Sequence, residues 1–101
     1  MGKIQDKLIK ENEEKIKNFL QEIKIAEPEK EELEAKLKVE EKILEELVEN
    51  SKEEIKKQIQ ANISVLKDLI TVEQSKIDEA VLDIEIIKLR IPILRRITWH
   101  F

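Results

Sequence analysis

The chain has 101 residues and a net charge of −4; 42% of its residues are charged, 41% hydrophobic and 3% aromatic, with one glycine, two prolines and no cysteine. That length predicts one domain or one unit of a helical assembly, and Ile and Leu at regular spacing exclude a disordered polyelectrolyte. The lack of cysteine excludes a disulfide framework and thiol chemistry and suits a cytoplasmic protein; no apolar run approaches the roughly 20 residues of a bilayer span, and Lys3, Lys7 and Lys10 interrupt any signal peptide.

Residues 3–26 are predicted as a first helix. Ile9, Ile16 and Ile23 recur every seven residues, and Phe19 and Ala26 fall three after Ile16 and Ile23. Lys, Glu and Gln fill the other face, so the apolar seam is one-sided.

Pro28 predicts a break. The residue before a proline is pushed out of the helical region, while proline itself suits the first position of a helix. Glu29, Glu31 and Glu32 follow where acids meet the positive end of a helix dipole. A second helix is therefore expected over 28–50, carrying Leu33, Leu37, Leu44, Leu47 and Val48 and folding back on the first. At Ser51, with Glu54 three residues on, a capping-box signature predicts a third helix over 51–91. A continuous helix with a phase shift is the alternative, since no glycine or proline forces a stop there.

The third segment carries the strongest pattern. Ile63, Ile70, Ile77, Ile84 and Ile91 stand at seven-residue intervals, with Ile59, Leu66, Ala80, Ile87 and Leu94 at the companion position and Glu73 interrupting it. Sustained apolar heptads predict coiled-coil packing. A chain this short builds only a modest core, so Ile63, Leu66, Ile70, Ile77, Ile84, Ile87 and Ile91 are assigned as a seam buried by self-association.

A second stripe, Leu82, Ile86, Leu89, Ile93 and Ile97, lies off that seam and would make the segment apolar on two faces. The same residues also fit a strand, because Leu82, Ile84 and Ile86 alternate with Asp83 and Glu85. The unbroken heptad favours helix to about Arg90, with Pro92 starting an extended tail over 92–101. The predicted fold is thus all-α: an antiparallel helical hairpin or three-helix bundle with coiled-coil packing, oligomeric, ending in a short extended tail.

Charge is polarised along the chain. Residues 1–85 hold all 23 acidic groups and 15 lysines, a net −8; residues 86–101 hold Lys88, Arg90, Arg95 and Arg96 and no acid, a net +4. Arg90, Arg95, Arg96, Trp99 and Phe101 are the candidate partner-binding residues, since Trp and Arg are enriched at binding hot spots.

Catalytic and cofactor chemistry has no foothold in this pattern. Nearly all the carboxylates lie among lysines on polar helix faces, without the burial or close like-charge partner that a catalytic carboxylate needs. The only histidine, His100, has Ile97 three positions before it, which excludes a Glu-x-x-His di-iron motif. One His without Cys excludes a zinc set, and the single glycine, Gly2, excludes a phosphate-binding loop. No metal and no cofactor are expected.

The expected function is non-enzymatic: a scaffold, assembly factor or small regulator that binds protein, itself and a second partner, by helix packing. The alternative is a peripheral membrane protein held by the basic amphipathic segment 86–101. An acidic body argues against nucleic acid.

Overall fold

The computed structural model describes residues 2–47 and 52–97. They form two helices, α1 over Gly2–Glu46 and α2 over Glu53–Arg96. No strand occurs among the described residues. The count of two helices selects the hairpin over the three-helix bundle.

Pro28 does not end a helix; α1 runs through it. Register explains the correction. Stepping by seven from Ile9, Ile16 and Ile23 leads without a phase change to Lys30, Leu37 and Leu44, and stepping from Phe19 and Ala26 leads to Leu33. A proline inside a helix loses one backbone hydrogen bond and costs ~3 kcal/mol. Pro28 takes that loss on an exposed face, where water reaches the freed carbonyl, while the seam continues on the other side.

Pro92 is a second correction. The expected tail begins at 92, but α2 continues to Arg96, and the Ile97 N–H still donates to the Ile93 carbonyl at 3.0 Å. Pro92 is also exposed. Leu94, in the companion position of the heptad, is half-buried beyond it. Residues 98–101 lie outside the described residues, and so does Ser51 of the expected cap.

Near the expected break, α1 ends at Glu46 and α2 begins at Glu53, and residues 48–51 lie outside the described residues. α1 closes with the Leu47 N–H donating to Ile43 (3.1 Å) and Leu44 (3.3 Å). At the start of α2 the Lys52 carbonyl accepts from Ile55 (3.0 Å) and Lys56 (3.3 Å), so Lys52 is the last residue outside the helix. Glu53 and Glu54 occupy the first turn and Arg95 and Arg96 the last, both as the helix dipole favours.

The chain resolves into two compact units. One comprises the described residues of Met1–Ile25 and Lys76–Phe101; the other is Ala26–Ser75. Each is a pair of antiparallel helical segments. In the first unit Ala80, Ile84 and Ile87 of α2 are buried, at 2%, 6% and 5% exposure. Ile9, Ile16, Phe19 and Ile23 of α1 are half-buried. Among the described residues of the second unit only Ala26 and Glu73 are buried, and Leu33, Leu37, Ile63, Leu66 and Ile70 are half-buried. Two helices meet along one stripe each, so most side chains of the seam keep one edge in water.

Candidate functional site

The heptad of α2 is engaged within the chain. Ile77, Ile84, Ile87 and Ile91 sit at the seam of the first unit and Ile63, Leu66 and Ile70 at that of the second, all buried or half-buried. The seam assigned to self-association is therefore largely occupied by α1. The sequence shows the stripe but not its partner, because a heptad reads the same whether a second copy or the chain's own helix fills it.

One surface that α1 leaves open is the second stripe. Leu82, Ile86, Leu89 and Ile93 are 56%, 39%, 70% and 50% exposed, and Ile97 beyond the helix end is exposed too. Their spacing of four, three and four residues places them on one face of α2. At about 100° per residue that face is nearly opposite the one carrying Ile84, Ile87 and Ile91. Isolated apolar residues on a surface are ordinary, but a contiguous row of four on one helix face is a candidate interaction site.

Charged groups border the row. Glu79, Glu85, Lys88, Arg90 and Arg96 are exposed and Asp83 is half-buried. Arg95 reaches α1 instead: its Nη2 lies 3.6 Å from Glu13 Oε1, with both side chains at least half exposed. The Arg96 Nε donates to the Pro92 carbonyl at 3.4 Å. Of the candidate partner-binding residues that are described, Arg90 lies beside the row, while Arg95 and Arg96 hold the ion pair and the hydrogen bond just given. Trp99 and Phe101 lie outside the described residues.

The start of α1 is tied to the end of α2. Gln5 donates its side-chain amide to the Leu94 carbonyl. Asn12, at a seam position, turns its amide back to the Leu8 carbonyl at 2.7 Å. Leu8, Asn12, Arg90, Ile93 and Leu94 line a small open groove of about 260 Å³.

In the second unit a wider groove of about 560 Å³ opens between Ala35 and Val39 of α1 and Val65 and Leu66 of α2. Glu32, Lys36, Glu40 and Asn62 complete it. Val39 and Val65 are 58% and 56% exposed. The heptad pattern does not mark this groove; its signal in the sequence is Val39 and Val65, two β-branched residues that stand off the seam. Lys36 is drawn to Glu32 at 3.4 Å, and Lys30 to Glu34 at 3.4 Å, both one helical turn apart.

Among the described residues, no three His, Cys, Asp or Glu side chains are grouped so as to hold a metal ion, and no helix is long and apolar enough to cross a membrane. Comparison with protein-family models, curated proteins and solved structures gives no match.

Proposed function

We propose that this chain is a non-enzymatic interaction module, a structural or adaptor piece that works by helix packing. The observation that carries this reading is the exposed row Leu82, Ile86, Leu89 and Ile93 on the face of α2 turned away from its seam. A helix with two apolar faces is completed by a neighbour on each. α1 supplies one, and a protein partner supplies the other. Recognition of this kind is helix against helix, read through residues three and four apart.

The test is the double substitution Leu89→Ser/Ile93→Ser. The expected result is an unchanged helical circular dichroism signal and thermal melt at concentrations where the chain does not associate, together with loss of protein binding. A lower melting temperature under those dilute conditions sinks the reading, because the row would then belong to the chain's own fold.

A second reading uses part of the same surface. Leu89, Ile93 and Ile97 are exposed beside Lys88, Arg90 and Arg96, a combination that suits an anionic membrane surface. Glu79 and Asp83 continue the row towards the N-terminus and oppose it. Flotation with anionic vesicles at low salt separates the two: vesicle binding that Leu89→Ser/Ile93→Ser abolishes favours the membrane.

A further inference from the structure

The interaction reading leaves its partner open. Resting on that reading, we propose that the outer row of α2 is occupied by a second copy of this chain, packed antiparallel about a two-fold axis that passes between Ile86 and Leu89.

Charge along the face singles out this occupant. Along α2, Asp78, Glu79, Asp83 and Glu85 come first and Lys88, Arg90, Arg95 and Arg96 follow. The sign inverts between Glu85 and Lys88. That point is also the middle of the row that runs from Leu82 to Ile93. One half of the face is acidic and the other basic, with the apolar residues continuous through both.

A two-fold axis at the inversion point makes this face its own complement. Leu82 of one copy meets Ile93 of the other, and Ile86 meets Leu89, each contact occurring twice by symmetry. The spacing of these residues is that of coiled-coil layers. The same register brings Asp83 of one copy within reach of Arg90 of the other, and Glu79 opposite Arg96. Glu79, Arg90 and Arg96 are exposed and Asp83 is half-buried.

A parallel pair would set Glu79 on Glu79 and Arg96 on Arg96, each seven residues along the row from Ile86 and Leu89, and like charges so placed oppose association. The antiparallel arrangement is isologous, so it closes at two copies. A different protein could fill the row only by carrying the same apolar spacing with an acidic half and a basic half in the reverse order. The chain already carries both.

The experiment is sedimentation equilibrium over a range of concentrations on the full chain and on Asp83→Arg, Arg90→Asp and the double substitution Asp83→Arg/Arg90→Asp. Circular dichroism melts at low concentration check that each variant folds. The full chain is expected to dimerise. Each single substitution sets arginine against arginine or aspartate against aspartate at two symmetric places and weakens the dimer by about tenfold or more. The double substitution restores opposite signs at both places and is expected to recover the dimer.

A monomeric mass at every concentration overturns the proposal, as do single substitutions without effect or a double variant as weak as the singles. These results are distinct from failure of the interaction reading. A monomeric chain whose Leu89→Ser/Ile93→Ser variant melts normally keeps an open docking face but not this partner; a destabilised one loses both.

Discussion

Gln5 donates a side-chain hydrogen bond to the backbone carbonyl of Leu94, across 89 residues of chain. The carbonyl belongs to the last turn of α2, where helices lack backbone donors. Gln5 is half-buried, so its removal leaves a partly covered acceptor without that donor. Gln5→Ala is expected to lower stability by about 1 kcal/mol, read from the urea midpoint. An unchanged midpoint would show that water replaces the amide at no cost.

Ile87 and Leu89 are two residues apart and lie on opposite sides of α2, at 5% and 70% exposure. Ile87→Ala removes buried methyl groups and is expected to cost about 2–4 kcal/mol. Leu89→Ala in dilute solution should stay within about 0.5 kcal/mol. Equal losses from the two would mean that the outer face is part of the fold.

Glu73 is a buried carboxylate at a seam position, 8% exposed, in line with Leu66 and Ala80. Replacing a buried charged group by an apolar one of similar size is often stabilising, while a polar residue in a coiled-coil seam restricts register. Glu73→Leu is therefore expected to raise the melting temperature and to broaden the choice of pairing. A fall in melting temperature would mean that the interactions Glu73 makes outweigh the cost of burying it.

The prolines offer a check on continuity. If α1 and α2 run through Pro28 and Pro92, as they do here, alanine at either place restores a helical hydrogen bond. Pro28→Ala and Pro92→Ala should each stabilise, by up to about 3 kcal/mol, and raise the helical signal slightly. A proline that really terminated a helix would give no such gain.

These cases also show where the sequence was readable. The seam was legible in both helices because Ile16, Ile23, Ile84 and Ile91 repeat at a period that only a packed helix demands. The outer row was legible too, since Leu82, Ile86, Leu89 and Ile93 fall on a second face. The helix boundaries at Pro28 and Pro92 were not. A proline is a local signal of about 3 kcal/mol, and several layers of seam on either side outweigh it. The partner of the heptad was equally hidden. Nothing in Ile63 or Ile70 says whether α1 or another molecule covers it. Gln5 and Leu94 were beyond reach because their pairing depends on three-dimensional alignment, and an exposed-looking glutamine near the start of a helix carries no sign of it.

The narrow seam has a consequence for how such a chain can change in size. Each layer contacts only its neighbours, as in a repeat protein, so stability is approximately a sum of local terms. Seven residues added to α1 alone would shift every later layer against the wrong partner. Seven added to each helix, at matching places, would leave all the old layers intact and add new ones. Lengths in relatives of this protein should accordingly differ in paired steps of fourteen residues, one seven in each helix.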